Sequence, residues 1–167
     1  MDAVLFVLLG LAALLVLVLL ALYIRALTPR PGEAVEYDTP DFTRAAGFRV
    51  ASLPSGELLT PGRILLRNGS LAELAFTAAP GWDFLLRVTL SGGDLEPETL
   101  PCPFEQRSVL YLGTVRVQLY QSPGGPGLCL WSAGGFDCAL YCRTGEMGLL
   151  NGLVRAFVME LRIEPAE

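Results

Sequence analysis

The stretch before residue 25 constrains this chain more than any other. From Ala3 to Ile24 there is no charged side chain, and Leu, Val and Ala supply nearly all of the run. At 1.5 Å per residue, a helix over 3–24 reaches about 33 Å, enough to cross the hydrocarbon core of a bilayer. A secretory signal peptide is the competing form. It calls for a basic start, a shorter apolar stretch and a small-residue cleavage site. Here Asp2 is the only charged side chain before the run, and no clean cleavage site follows. The expectation is a retained single-pass anchor over residues 1–25. A juxtamembrane linker over 26–38, with Pro29, Pro31 and Gly32, and a globular domain over 39–163 then follow.

Charge and side-chain inventory exclude whole classes of function. The chain has 12 basic and 17 acidic residues, a net charge of −5, and no histidine. Nucleic-acid binding needs a basic face, so that partner is not expected. Every basic residue is arginine. Without Lys or His there is no Schiff-base lysine, no Ser-His or Cys-His pair, no imidazole metal ligand and no P-loop lysine. No cofactor is expected.

After the linker, Thr39-Pro40-Asp41 has the form of a helix start, with Gly47 as its end. The period then changes from helical to two. Ile64 to Arg67 leads into Asn68-Gly69, a strong hairpin dipeptide, and the partner strand follows over Leu71 to Ala78. Asn68-Gly69-Ser70 also matches a glycosylation sequon, with the turn the favoured role. Phe84, Leu86, Val88 and Leu90 form one face of the next strand. Leu95 to Pro103 holds Pro97, Pro101 and Pro103, which rules out a helix or a central strand. Val115, Val117 and Leu119 alternate with Arg116, Gln118 and Tyr120. Met147 to Leu161 repeats apolar residues at helical spacing, the face that covers a sheet. The predicted class is α+β: an antiparallel curved sheet of six or seven strands on a C-terminal amphipathic helix.

The segment GLCLWSAGGFDCALYC, residues 127–142, reads as a hairpin turning at Gly134-Gly135. Phe136, Cys138, Leu140 and Cys142 then share one face and behave as core. Four strand residues separate Cys138 from Cys142 by about 13 Å, too far to share a zinc or form a disulfide. No metal site is expected. Cys129 and Cys138 are left as the pair a disulfide could join. A two-residue loop puts Cys129 opposite Leu140, with Cys138 diagonal. A four-residue loop over 132–135 puts Cys129 directly opposite Cys138. Both loop lengths fit the sequence.

The order of anchor, linker, AGFRVASLP, alternating strands, GTVRVQLY, LCLWSAGGFDCALYCRTGE and closing helix carries a resemblance. It resembles the small, mostly extracytoplasmic domains of unknown function behind a single span in Gram-positive membrane proteins. Their fold is related in outline to the curved-sheet lipoprotein-carrier and anti-sigma sensor domains. The resemblance covers residues 46–158 and brings no catalytic residues with it. It implies an extracytoplasmic domain, whereas Arg25 and Arg30 after the span favour the cytoplasmic side. The side is left open.

The expected function is a non-enzymatic, membrane-anchored binding or sensory domain, with a protein partner or apolar ligand in the concave face of the sheet. Candidate contacts are Trp82, Phe84, Tyr120, Trp131 and Tyr141, with Trp82 at an exposed loop tip. One alternative is a structural subunit of a membrane complex. Another is an enzyme using Glu96 and Glu98 beside Cys102.

Overall fold

The computed structural model describes residues 13–20, 33–55, 59–78, 82–100, 106–121, 125–143 and 147–166. It divides into two units, Met1–Glu33 and Ala34–Glu167. In the first, residues 13–20 are helical; the rest of the expected anchor lies outside the described residues. Among the described residues, no helix is long and apolar enough to cross a membrane.

The second unit is α+β. Its first strands are β1 (Ala34–Tyr37), β2 (Asp41–Phe42), β3 (Phe48–Ser52), β4 (Leu59–Arg67), β5 (Leu71–Ala78) and β6 (Asp83–Leu90). They continue as β7 (Gln106–Leu112), β8 (Val115–Gln121), β9 (Gly127–Ala133), β10 (Phe136–Cys142) and β11 (Arg162–Pro165). Eight of them form an antiparallel sheet in the order β1-β4-β5-β6-β10-β9-β8-β7, and β11-β3-β2 form a separate three-stranded sheet. The expected six or seven strands in one sheet are thus corrected to two sheets.

Two of the turns are glycine chemistry. Asn68 and Gly69 have φ of 52° and 68°, and Gly134 and Gly135 have 61° and 85°. Positive φ at both central residues gives the hairpin turn whose twist matches the strands it joins. The β9–β10 loop therefore has two residues, and Cys129 pairs with Leu140 while Cys138 pairs with Trp131.

One face of the large sheet, the inner face, is buried by the C-terminal helix, Met147–Glu160. Leu150, Val154 and Phe157 recur at i, i+4 and i+7, and all three are buried. Phe157 stacks on Phe76 at 5.3 Å between ring centroids, and Phe76 stacks on Phe84 at 5.6 Å. Phe42 and Phe48 of the small sheet join the same core, with Phe48 edge-on to Phe136. The concave face offered above to an apolar ligand is filled by these side chains.

Several local expectations shift. Asp41 lies in β2 rather than in a helix; its carboxylate accepts the Thr43 N–H at 3.0 Å, and the single turn of helix is Thr43–Ala46. Hydrogen bonding from the Thr43 hydroxyl and then from its N–H, with the guanidiniums of Arg49 and Arg44, holds the Asp41 carboxyl below its usual range. Ala34–Tyr37, assigned to the linker, is β1 and pairs with β4. Leu161 falls after the helix, and β11 carries the fold past residue 163. The described part of the Pro-rich connection holds one turn of 3-10 helix, Pro97–Thr99.

Candidate binding surface

The outer face of the large sheet is where charge and apolar surface meet. In the strand register, Glu36, Leu65, Glu73, Arg87, Ala139, Leu130, Gln118 and Val109 line up across all eight strands. Near the middle of that row sits a buried ion pair: Glu73 and Arg87 are 5% and 4% exposed. Arg87 Nε donates to Glu73 Oε2 at 3.0 Å. Its Nη1 donates to the carbonyls of Leu95 and Glu96, at 3.1 and 2.7 Å, and to Thr99 Oγ1 at 2.9 Å. Arg67 adds two bonds to the same carboxylate, at 3.0 and 3.2 Å. Burying these charges is costly, and the fork geometry with loop carbonyls offsets that cost.

The ion pair therefore fastens the β6–β7 connection to the sheet. Leu100 packs beside Leu128, Ala139 and Tyr141 in a second apolar cluster on this face, with Leu95 and Tyr120 at its edge. Glu96 is held left-handed at φ 48°. Its own N–H goes to Asp94 Oδ1 at 2.8 Å, and its carboxylate accepts the Asn68 amide at 2.6 Å. The loop is thus a fixed wall.

Against that wall lies a groove of about 590 Å³, with Leu95 and Pro97 on one side and Gln118 and Leu130 in its lining. Arg116, Ser132 and Asp137 also border it. Asp137 is already engaged, accepting the Ser132 hydroxyl at 2.6 Å and the Gly92 N–H at 2.8 Å. It acts as a strut between hairpin and loop. Arg116 is exposed, and its side chain makes no ion pair or hydrogen bond among the described residues. Its register partner is Tyr111 on the edge strand β7, and Val109 is the partner of Gln118. Tyr111 is 67% exposed and Val109 40%. A guanidinium and a phenol ring thus stand together on an open corner, a pairing suited to an acidic, partly apolar ligand. Residues 106–121 carry Arg107 and Arg116 and no acid, in a chain of net charge −5.

The aromatic residues singled out from sequence do not share a surface. Phe84 and Trp131 are in the inner core, at 3% and 4% exposure. Trp82, expected at an exposed tip, is half-buried against that core. Tyr141 is buried in the outer cluster and Tyr120 lies at its edge. Of the five, Trp131 borders the groove, and Tyr120 touches its lining by donating its hydroxyl to Gln118 Oε1 at 3.2 Å. Tyr111, Val109 and Arg116 were not singled out. Their signal is that QRSVLYL has apolar residues on both faces of a strand, so one set must be exposed or covered by something else.

Cys129, Cys138 and Cys142 are buried on the inner face. Burial pushes the Cys129 and Cys138 thiols up to about 12, aided at Cys129 by Cys142 and at Cys138 by Asp137. They are packing groups, with Cys129 diagonal to Cys138 rather than opposite it. Among the described residues no group of His, Cys, Asp and Glu is placed to hold a metal. Cys102 lies outside the described residues; Glu98 is exposed.

Two other hollows are less suited to a ligand. A space of about 1020 Å³ by the small sheet is lined by two acids and two arginines, with Arg49 paired to Glu164 and Asp41 close enough to Arg49 and Arg44 to feel both guanidiniums. A cleft of about 250 Å³ at the end of the helix is lined by Trp131, Cys138 and Phe157. Comparison with protein-family models, curated proteins and solved structures finds no match for this chain.

Proposed function

We propose that this chain is a membrane-anchored, non-enzymatic binding domain that holds an acidic ligand or protein partner on the outer corner of its large sheet. The observation that carries the proposal is Arg116, exposed and unpartnered among the described residues, beside the exposed Tyr111 at the mouth of the groove. A cation on an open face costs little to desolvate and gains a charge-assisted bond when a carboxylate arrives. Leu95, Pro97 and Leu130 offer an apolar wall beside Arg116, with Gln118 and Ser132, bonded to Tyr120 and Asp137, as polar lining.

The uncharged run 3–24 supports the anchor, and the resemblance to small domains behind a single span supports the same arrangement. The engaged state of Asp137 and the high pKa of Cys129 and Cys138 support a binding role over catalysis. Two measurements test this. The full-length protein should stay with membranes through a carbonate wash. In detergent, it should bind a fluorescein-labelled hexaglutamate peptide saturably, with affinity falling as salt rises and lost in Arg116→Glu. Extraction by carbonate refutes the anchor, and binding indifferent to Arg116→Glu refutes the site.

A further inference from the structure

The two edges of the large sheet are not alike. β1 is four residues long, and its Glu36 is paired with Arg63 of the neighbouring β4. Shortness and charge are the usual ways in which an edge is protected from pairing. β7 has seven residues, without proline or acid. Its turn to β8 has two residues, Gly113 and Thr114, with Leu112 paired to Val115. In such a hairpin the residues flanking the turn exchange hydrogen bonds, and the pairs alternate from there. Leu112 and Leu110 therefore bond to β8. Val109 and Tyr111 fall at the non-bonded pairs, so their N–H and C=O groups point out of the sheet. No other strand pairs with β7 among the described residues.

Side chains add a pattern to this free edge. On the inner face, Leu110 and Leu112 are half-buried against the main core. On the outer face stand Val109 and Tyr111, next to Arg116. A strand laid along β7 would continue the core with apolar residues on one side and would need acids on the other. A second copy of β7 does not fit, because it brings more arginine and no acid to the edge. We infer that β7 takes up an extended segment of alternating apolar and acidic residues from a partner protein, as a ninth strand. This rests on the binding role proposed above and specifies its partner.

The test uses full-length protein in detergent, with a blocked ten-residue peptide of alternating Val and Glu, and its Val-Lys counterpart as control. The Val-Glu peptide should bind saturably and the Val-Lys peptide should not. Val109→Pro removes one outward N–H without touching a bond to β8. It should weaken binding at least tenfold while the melting temperature stays within a few degrees. Independently of that variant, amide exchange at Val109 and Tyr111 should be fast in the free protein and slow in the complex. Binding lost in Arg116→Glu but kept in Val109→Pro, with both amides unprotected, overturns strand addition and leaves the outer-corner site standing. Equal binding of the two peptides overturns it as well. So does a dimer in sedimentation equilibrium that Val109→Pro dissociates, since the edge would then belong to a second copy. Failure of the Val-Glu peptide where hexaglutamate still binds is a further refutation of the strand, and failure of both peptides removes the site itself.

Discussion

Arg87→Met should release the β6–β7 loop and cost about 3 kcal/mol. Breaking a buried ion pair by removing one partner costs about 3–5 kcal/mol, because a charge is left behind. Here the charge left behind is Glu73, which keeps both bonds from Arg67, a residue whose side chain is 35% exposed. That places Arg87→Met at the low end of the range. The other loss is in the loop, where the carbonyls of Leu95 and Glu96 and the Thr99 hydroxyl each lose a guanidinium bond. Glu73→Gln should be worse, about 4–5 kcal/mol, since Arg87 then lies buried without a counter-charge while only Arg67 can turn to water. Denaturant melts followed by tryptophan fluorescence give both values. Amide exchange at Thr99 and Leu100, which bond back to Glu96 and Pro97, reports the loop directly. Exchange there should accelerate in Arg87→Met by more than the global loss of stability. A cost under about 1 kcal/mol with unchanged exchange would mean that the loop is held by Leu100 alone, and the account of the groove wall would fall with it.

Phe157→Ala should cost about 3–5 kcal/mol, since the ring is fully buried between helix and sheet, while Arg155→Ala should change stability by less than about 0.5 kcal/mol. Equal losses in denaturant melts would refute the helix phase. Gly127→Val should destabilise: even a Cβ there would sit 2.5 Å from Leu150 Cδ2, so a larger group must push the helix off β9. An unchanged melting temperature would show that Leu150 can swing aside. Iodoacetamide at pH 8 should label Cys129 and Cys138 only after denaturation, because thiols with pKa about 12 hold almost no thiolate at that pH. The same raised pKa makes stability fall as pH rises from 9 towards 12: unfolded thiols ionise from about 9 while the folded ones stay protonated. A Cys129→Ala, Cys138→Ala double variant melting with an unchanged pH slope would refute that linkage.

Where apolar residues recur at an element's own period, the sequence reveals which face meets the main core. β6, β10 and the C-terminal helix were legible on those grounds, through Phe84-Leu86-Val88, Phe136-Cys138-Leu140 and Leu150-Val154-Phe157. β1 was not, because AVEY lies next to a Pro- and Gly-rich stretch and its Val35 is an exposed edge residue, 45% accessible. β11 was hidden by the helix before it, whose apolar period runs into Leu161. The aromatic grouping failed for a reason that strand parity exposes. Phe84 and Trp131 fall on the inner rows, and Tyr120 and Tyr141 on the outer ones. Arg87 and Glu73 look like ordinary solvated positions on an outer face. Their burial depends on a loop distant in sequence, and no local period encodes that.

That loop also accounts for the position of the open corner. β6 and β7 are joined directly in sequence, yet β10, β9 and β8 lie between them in the sheet. The connection must therefore pass over three strands, and the helix and small sheet already occupy the inner face. It is left with the outer face, which explains why Leu128, Ala139 and Tyr141 are apolar and buried there. The register fixes its course. Leu90, where it departs, shares an end of the sheet with Phe136, Ala133 and the β7–β8 turn. Gln106, where it arrives, is at the other end, level with Gln121, Gly127 and Cys142. The connection's described residues, 91–100, carry Leu100 over Leu128, Ala139 and Tyr141, and they leave open the corner where β7 and β8 approach their turn. Tyr111 and Arg116 occupy that corner. The groove wall and the open corner are thus two results of one topological demand: the described loop residues cover the middle of the outer face and stop short of the β7–β8 turn.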